Sequence, residues 1–384
     1  MDYNPGSTQG LSAHIALNAH LLSGRTSYRS AGIHHYIAQL LRHLPAAAPE
    51  LRFTVFVGDG RPDMAGATVV RARLPTARPP MRIFWEQCVQ PWALARARPA
   101  LLHALAFVAP ILSPTPTVVT VYDLSFFVTP ERFPAAQRLY LRALTGVSCR
   151  RARRVLAISE STRADVVRLL GVPAERVDLA YPGVGPEFHP LPADEVAAFR
   201  ARLNLPARFV LYLGTLEPRK NLGTLLAAFA TLRAAEPDLA LVLAGGRGWW
   251  YADLFRQVQA LGLERAVHFP GYVPAQDLPG WYNAAAAVGY PSAYEGFGMP
   301  VAEALACGCP VVTTRASSLP EAGGEAAWLV PPADAPALAA ALAQALRPDP
   351  ARRGRGLAHA ARFTWAATAA ATAASYRRAL GRPA

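Results

Sequence analysis

Residues 291–310, PSAYEGFGMPVAEALACGCP, decide the predicted fold because they place two glutamates on either side of a glycine-bearing loop that opens into a helix. Gly296 and Gly298 allow the backbone to approach a ligand closely. The free N–H groups and positive dipole end of such a helix favour an electron-rich ligand, and Glu295 and Glu303 can accept hydrogen bonds from hydroxyls. This combination suits a nucleotide sugar. The alternative is a strand, turn and helix whose glutamates are solvated.

Length and composition indicate a globular chain of two domains. The 384 residues exceed one ordinary core, and 52% of them are hydrophobic against 17% charged. We expect no signal peptide and no membrane-spanning helix, because no apolar run reaches about 18 residues. The cysteines form neither a disulfide framework nor a CxxC metal pair, which favours a reducing cytoplasm; they are Cys88, Cys149, Cys307 and Cys309.

The net charge of +13 is distributed unevenly along the chain. Residues 1–190 hold 21 arginines and 12 acidic residues, whereas residues 191–384 hold 18 basic and 14 acidic residues. No motif interleaves basic and aromatic residues, so nucleic acid is not an expected partner. A phosphate-bearing acceptor, an anionic membrane surface near Phe84 and Trp85, or a merely basic surface remain as explanations.

Lys220 is the only lysine among 39 basic residues. All other basic residues are arginines, which suggests that position 220 needs a compact ammonium, as in a tight phosphate site. The alternative is that this lysine is present by chance. Lys220 and Arg219 follow the predicted strand 209–214 and precede a helix that Asn221 is expected to cap. Two cations and a helix dipole therefore converge where a diphosphate could bind.

Strand-like and helical segments alternate along both halves, which predicts an α/β fold with parallel sheets and ligands at the carboxyl ends of the strands. In the first half we predict a helix at 33–44 and strands at 14–22, 53–57, 68–71, 100–104, 117–122, 154–158 and 177–181. In the second half we predict strands at 209–214, 239–246, 267–273, 284–291, 310–314 and 326–330. The Pro- and Gly-rich residues 182–198 are the predicted linker.

The loop after the first strand, SGRTSYRSAG at residues 23–32, has the position of a Rossmann-type phosphate loop but lacks GxGxxG, so no dinucleotide cofactor is expected. His103 and Asp123 lie at the carboxyl ends of later strands. Either could orient a sugar or transfer a proton, although a structural histidine and a turn or cap aspartate are the alternatives. Ser159 is interpreted as a helix N-cap.

Several segments together resemble glycosyltransferase family 4, the retaining GT-B nucleotide-sugar transferases. The resemblance is strong in LGTLEPRKNLGTLLAAF, VHFPGYVP, YPSAYEGFGMPVAEALACGCPVVTT and SSLPEAGG. It is weaker but colinear in GIHHYIAQLL, LLHALAFVAP, VVTVYDLSFF and LAISESTRADV. It implies a GT-B fold of two Rossmann-like domains facing a cleft, with an acceptor domain at 1–190 and a donor domain at 191–364. The final helix at 365–381 would be able to pack back on the first domain.

The resemblance also implies roles for individual residues. Arg219 and Lys220 would bind the donor diphosphate and stabilise the departing nucleotide, Glu303 would hold the ribose, and Glu295 with the following amides would hold the donor sugar. The backbone around 271–273 would read the base. The implied donor-binding positions are Gly32, Gly214, Arg219, Lys220, Tyr272, Val273, Glu295, Gly296, Phe297, Gly298, Met299 and Glu303.

The N-terminal catalytic group is less defined by the resemblance. His103 matches the histidine that follows the family's apolar strand, and Asp123 follows a position that is often histidine in the family but is Tyr122 here. The catalytic candidates are therefore Arg219, Lys220, Glu295, His103 and Asp123.

The family's chemistry needs no metal and no cofactor, because the basic pair and the helix dipole replace a divalent ion on the diphosphate. The resemblance implies transfer of a hexose, with retention, from a GDP- or UDP-sugar to a sugar or lipid-linked acceptor, in polysaccharide assembly and often from mannose donors. A non-catalytic nucleotide-sugar-binding scaffold, or another GT-B enzyme such as an epimerase or phosphorylase, remains as an alternative.

Overall fold

The computed structural model describes residues 12–22, 31–246 and 251–383. The first of its two sheets is built from β1 to β7, and every paired strand in it is parallel. Their bounds are His14–Asn18 (β1), Arg52–Val57 (β2), Thr68–Arg71 (β3), Leu101–Ala104 (β4), Thr117–Val121 (β5), Arg154–Ala157 (β6) and Val177–Leu179 (β7).

The second sheet is also parallel throughout its paired strands and is built from β8 to β13. The bounds are Phe209–Leu213 (β8), Ala240–Ala244 (β9), Val267–Gly271 (β10), Ala287–Tyr290 (β11), Val311–Thr314 (β12) and Trp328–Val330 (β13). Each strand overlaps an apolar run singled out in the sequence, and most are shorter than the run by a few residues at the ends.

The strand orders are β3-β2-β1-β4-β5-β6-β7 and β10-β9-β8-β11-β12-β13. In each sheet the chain first adds strands on one side of its starting strand and then crosses to the other side. The direction changes between β1 and β4 in the first sheet and between β8 and β11 in the second. Loops leaving such neighbouring strands diverge at their carboxyl ends and open a crevice, which is where ligands bind in sheets of this type.

Helices cover the sheets and link the strands. Around the first sheet they are α1 (Ala31–Ala47), α2 (Pro79–Phe84), α3 (Gln90–Ala97), α4 (Ser125–Val128), α5 (Ala135–Arg151) and α6 (Glu160–Leu170), with a π-helical stretch at Trp85–Val89. The later helices are α7 (Ala193–Arg202), α8 (Leu222–Ala235), α9 (Tyr251–Ala260), α10 (Leu278–Ala284), α11 (Met299–Ala306), α12 (Leu319–Gly323), α13 (Ala335–Ala345), α14 (Pro350–Ala360) and α15 (Trp365–Ala379).

The last helix returns to the first sheet. α15 packs against α1 and also reaches β6 and β7. Arg377 pairs with Glu50 at 2.8 Å, and the guanidinium of Arg153 donates to the carbonyl of Ala379 at 2.9 Å. The fold therefore crosses between its two units twice, once through residues 180–208 and once before α15.

Part of the predicted linker is helical. α7 begins at Ala193, inside the proposed linker 182–198, and packs against α10. Asp194 and Glu195 lie in its first turn, where their charge complements the helix dipole, so the Pro-rich stretch stops earlier than composition suggests. Within the described ranges, none of the helices combines the length and apolar character needed to cross a bilayer.

Candidate active site

Two loops meet where the second sheet changes direction. Arg219 and Lys220 lie in a 3₁₀ turn, Pro218–Lys220, after β8, and Glu295 lies in the loop after β11. The backbone holds the loops together, since Ala293 N donates to the carbonyl of Arg219 at 3.0 Å. β8 and β11 are neighbours, so residues separated by about 75 positions in the chain come into contact.

The carboxylate of Glu295 is the centre of this cluster. Oε1 accepts hydrogen bonds from Lys220 Nζ at 2.5 Å, from the hydroxyl of Ser292 at 2.5 Å and from that of Tyr290 at 3.0 Å. Oε2 accepts from Arg219 Nη1 at 3.0 Å. Arg219 also pairs with Glu217 at 2.6 Å. The two cations are thus held in place by two carboxylates.

Burial sets the electrostatics of the cluster. Lys220 and Glu295 are only 6% and 7% exposed. Burial and the neighbouring Arg219 lower the pKa of Lys220, against the pull of Glu295 and Glu217. Burial alone would raise the pKa of Glu295, but Lys220, Arg219 and the hydrogen bonds outweigh it and bring that pKa to about 2. Glu295 is therefore ionised at neutral pH, and an incoming anion would compete with it for both cations.

The predicted helix starts as expected. Gly298, with φ near 100°, is the N-cap of α11, and Pro300 lies in the first turn. No side chain caps this helix start. Glu303 lies one turn further along, is 7% exposed and accepts a hydrogen bond from Tyr282 Oη at 2.7 Å. Burial raises the pKa of Glu303 to about 7, although the Tyr282 hydrogen bond opposes the shift.

The loop after β11 touches the first unit. The carbonyl of Gly296 accepts a hydrogen bond from Thr162 Oγ1 at 3.2 Å, and a Cβ on Gly296 would lie 2.0 Å from the carbonyl oxygen of Tyr122. Tyr294 Oη donates to Asp165 at 2.7 Å and accepts from Leu124 N at 3.2 Å. The carboxyl edges of both sheets therefore face each other across this loop.

Asp123 lies at this junction. Its Cβ would be 3.3 Å from a Cβ on Gly296, and its charge acts on Arg219. Oδ1 accepts from the backbone N–H and the hydroxyl of Ser125, at 2.9 and 2.7 Å. Asp123 therefore lies near the cluster. Its bonds to Ser125 also stabilise the local turn, in agreement with the alternative interpretation of Asp123 as a turn residue.

The structure does not bring His103 into the cluster. His103 lies on β4 and is 0% exposed, with Nδ1 2.6 Å from Tyr376 Oη and Nε2 2.8 Å from Thr120 Oγ1. Burial lowers the pKa of His103 to about 3, which keeps the ring neutral. Its bonds connect β4 and β5 to α15, as a structural histidine does.

The remaining predicted positions lie on several different elements. Gly214 follows β8, Tyr272 after β10 is 51% exposed, and Val273 beside it is buried. Phe297 is buried between Tyr181 and Phe363, and Met299 begins α11. Gly32 lies near the start of α1, with open space where a Cβ would be.

Two segments lie outside the described residues. Residues 23–30 contain most of the predicted loop SGRTSYRSAG, and residues 247–250, after β9, contain Trp249 and Trp250. In the described part of the chain, no group of three or more His, Cys, Asp or Glu side chains is arranged to hold a metal ion.

Sequence reasoning missed several residues that support the cluster. Tyr290, at the end of the predicted strand 284–291, and Ser292, just after that strand, bind Glu295, but the sequence reasoning singled out neither. Ser317 and Ser318 anchor the backbone of Glu295, since Ser317 Oγ accepts from its N–H and Ser318 Oγ donates to its carbonyl. Polar residues at the carboxyl end of β11 and within SSLPEAGG were the available signal. The interpretation of Ser159 is confirmed, because its side chain caps α6. Asn221 occupies the N-cap position of α8, but its side chain makes no cap bond there.

Two protein-family models and a curated relative match the chain. The model of group 1 glycosyl transferases matches residues 195–357, and that of Glycosyltransferase Family 4 matches residues 30–188. The chain is 31% identical over 357 residues to O-antigen chain mannosyltransferase B of Escherichia coli, covering 88% of this chain and 93% of that one.

Solved structures share the whole fold. Sucrose-phosphate synthase from Thermosynechococcus elongatus has a TM-score of 0.73 at 25% identity, covering 95% of this chain and 98% of that one. Anabaena HepE, solved in complex with UDP and glucose, has a TM-score of 0.73 at 20% identity, covering 95% of this chain and 99% of that one.

Proposed function

The chain belongs to the family 4 glycosyltransferases of GT-B fold, and we propose that it transfers a hexose from a nucleoside diphosphate sugar to an acceptor hydroxyl, with retention. The observation that carries this proposal is the buried cluster of Arg219, Lys220 and Glu295 at the direction change of the second sheet. We assign residues 1–190 to the acceptor domain and residues 191–364 to the donor domain.

In the proposed complex the diphosphate lies against Arg219 and Lys220. Carboxylates already orient both cations. The cations therefore need little reorganisation when a bound anion takes over some of their contacts with Glu295. The N-terminus of α11, which no side chain caps, adds the positive end of its dipole. Glu303 accepts hydrogen bonds from ribose hydroxyls, and Glu295 with the backbone of 296–299 holds the hexose.

The reaction breaks the bond between the anomeric carbon and the diphosphate oxygen. The acceptor oxygen forms the new bond on the same face, and its proton passes to the departing phosphate oxygen. Arg219 and Lys220 stabilise the negative charge that develops on the leaving group, which is the role otherwise filled by a divalent cation. We assign to Asp123, which lies beside Gly296, the role of orienting the acceptor or donor hydroxyls.

The similarity to an O-antigen mannosyltransferase supports a role in cell-surface polysaccharide assembly and favours a mannose donor, hence GDP as the nucleotide. The UDP held by the structurally similar HepE makes UDP the competing nucleotide. The proposed location is the cytoplasm, at the inner face of the membrane.

Donor binding can be tested with a thermal-shift screen of GDP, UDP, ADP and their sugars. A ligand of the folded state raises Tm, and at about 100 times its Kd it adds roughly 2.7 kcal/mol to the free energy of unfolding. We expect one nucleotide series to stand out and its shift to shrink in Arg219→Ala.

Transfer, epimerisation and phosphorolysis are separated by product analysis with the donor that binds. Wild type should yield a glycosylated acceptor, whereas Glu295→Gln should bind the nucleotide but transfer slowly. Binding without transfer or donor hydrolysis across a panel of acceptors would instead identify a non-catalytic binder.

We further propose that the enzyme touches the membrane through an apolar surface of the first unit. Phe84, Trp92 and Leu112 are 50%, 80% and 77% exposed, and Ile111 N bonds to Gln87, which brings these segments together. Three exposed arginines lie near Phe84 and Trp92 in the chain, namely Arg78, Arg96 and Arg98. Trp85, expected in this surface, is instead 4% exposed, because it packs against His20 and Phe56.

Vesicle sedimentation tests the membrane contact. Phosphatidylglycerol vesicles should bind the protein at low salt more tightly than phosphatidylcholine vesicles, and high salt should weaken binding because it screens the arginines. Trp92→Ser should weaken binding, while Leu261→Ser, at a 39% exposed leucine after α9, should not. Absence of binding to anionic vesicles at low salt would contradict this proposal.

A further inference from the structure

The first sheet ends in an edge strand that is exposed on both faces. β3 is the outermost strand of this sheet, and β2 is the strand that pairs with it. All four of its residues are exposed, including Val69 at 42% and Val70 at 37%. Because successive side chains of a strand point to opposite faces, apolar surface is exposed on both faces of this edge. An open edge of this kind is a template for pairing with another strand.

The other three sheet edges are protected in the described part of the chain. β7 is largely buried, contacts α15 and carries Asp178, which pairs with Arg154 and Arg378. β10 contains Pro270, which has no N–H to donate, and its register with β9 is irregular. β13 is partly buried and contacts α12 and α13. β3 has no proline and pairs with β2 in a regular register, so it lacks these forms of protection.

The free backbone groups of β3 follow from its pairing with β2. Ala72, just after β3, donates its N–H to the carbonyl of Val57 at 2.9 Å. The backbone groups of successive strand residues point to alternate sides, so those of Val70 also face β2. The N–H and C=O groups of Val69 and Arg71 therefore point away from the sheet. No other strand of the described residues pairs with them.

The charges around β3 favour a second copy of the chain in the antiparallel direction. Residues 59–66, before the strand, carry two aspartates and one arginine, whereas residues 71–78 carry three arginines. An antiparallel partner brings the first segment of each copy towards the second segment of the other, so opposite net charges meet. Arg71 leaves the edge open, because its Nη1 donates to the carbonyls of Gly58 at 3.5 Å and Gly60 at 2.9 Å, in the loop after β2.

We propose that β3 pairs antiparallel with β3 of a second copy of this chain, across a twofold axis at Val70, and joins the two first sheets into one continuous sheet. In this register Val69 of each copy faces Arg71 of the other, and the two residues exchange both backbone hydrogen bonds. Every free backbone group of Val69 and Arg71 then has a partner. The two Val70 residues form the central pair, with Cα atoms about 4.5 Å apart. The contact is isologous, as in most homodimers.

This pairing goes beyond the proposed transferase reaction and does not depend on it. β2 separates β3 from β1, and the Lys220 cluster lies on the second sheet. Substitutions on the exposed edge should therefore leave the fold intact, which far-UV circular dichroism verifies for each variant. They should also leave the nucleotide thermal shift unchanged, so failure of the pairing and failure of the donor assignment give different results.

Sedimentation velocity over a concentration series up to about 100 µM tests the pairing, because a contact between two short strands is small and the dimer should be weak. The dimer fraction of wild type should rise with concentration. Val70→Lys places two ammonium groups opposite each other at the axis and should raise the dimer Kd at least tenfold. Thr68→Lys adds the same charge to the same face, but the two lysines lie about 14 Å apart along the strands, beyond the Debye length, and Kd should change little.

Disulfide trapping tests the register. Both variants carry Cys88→Ser, which removes an exposed native thiol. Val70→Cys should form a cross-linked dimer under mild oxidation, because Cα atoms about 4.5 Å apart are within disulfide range. Thr68→Cys, also exposed and on the same face, should cross-link far less, because its two copies lie on opposite sides of the axis.

Three outcomes would refute the pairing. A wild type that stays monomeric at the highest concentration would leave β3 to another protein or to another segment of this chain. A dimer that Val70→Lys does not weaken would be assembled through a different surface. Equal cross-linking of Thr68→Cys and Val70→Cys would show that the two strands do not meet in this register.

Discussion

Replacing Lys220 by alanine should lower kcat about 100- to 1000-fold, the loss typical when one oriented donor is removed from a developing negative charge. Lys220 Nζ is buried between Tyr290 and Glu295 and is the more enclosed of the two cations. Its loss also weakens nucleotide binding. Steady-state kinetics with the preferred donor, together with the nucleotide thermal shift, measure the two effects.

Stability must be separated from catalysis in this variant. Removing one partner of a buried ion pair costs about 3–5 kcal/mol because the other charge is left behind, so we expect Lys220→Ala to lose stability as well as activity. The double variant Lys220→Met with Glu295→Gln removes both charges and should recover much of the stability without recovering transfer. Recovery of transfer in the double variant would remove Lys220 from the mechanism.

Two variants control for charge and for position. Lys220→Arg keeps the charge, but its planar fork needs more room than the 6% exposed site offers, so transfer should stay at least tenfold below wild type. Arg208→Ala removes a half-buried cation that pairs with Glu236 at the opposite end of β8, and transfer should be unchanged. Normal turnover in Lys220→Arg would show that the site does not require lysine and that the single lysine is present by chance.

The strands and the basic pair could be predicted because their signals are local. A run such as FTVFV or TVVTV is apolar enough to identify a buried strand, and Lys220 is unusual by composition alone. The order of strands in each sheet had no such signal, since it depends on which distant runs pair. Knowing that order would have shown that the loops after β8 and β11 must meet.

The side chains that complete the site were not predictable because their partners are distant in the sequence. Tyr282 is about 20 residues from Glu303 in sequence, and Tyr294 reaches Asp165 across 129 residues. Nothing near either tyrosine marks it as a partner of a carboxylate. His103 illustrates the converse: its position after an apolar strand favoured a catalytic role, whereas its bond to Tyr376 depends on the return of α15 to the first sheet.

Replacing Gly296 by alanine should lower kcat/KM for transfer about 100-fold while changing nucleotide affinity only a few-fold. A Cβ at this position would lie 2.0 Å from the carbonyl oxygen of Tyr122, which belongs to the backbone and cannot rotate away. The two units would have to separate locally, and a misplacement of about 1 Å costs roughly that factor in rate. Arg219, Lys220 and Glu303 all lie on the second unit and would keep their nucleotide contacts.

Comparing nucleotide affinity with the rate of transfer tests whether the reaction needs the contact between Gly296 and Tyr122. Small-angle scattering of Gly296→Ala should show a larger radius of gyration than wild type in the presence of nucleotide. Gly354→Ala, in α14 where a Cβ meets open space, should keep full activity and add about 0.5–1 kcal/mol to the free energy of unfolding. Equal losses of nucleotide binding and transfer in Gly296→Ala would place the defect in the donor loop itself. Normal transfer in Gly296→Ala would show that the reaction does not need the contact with Tyr122.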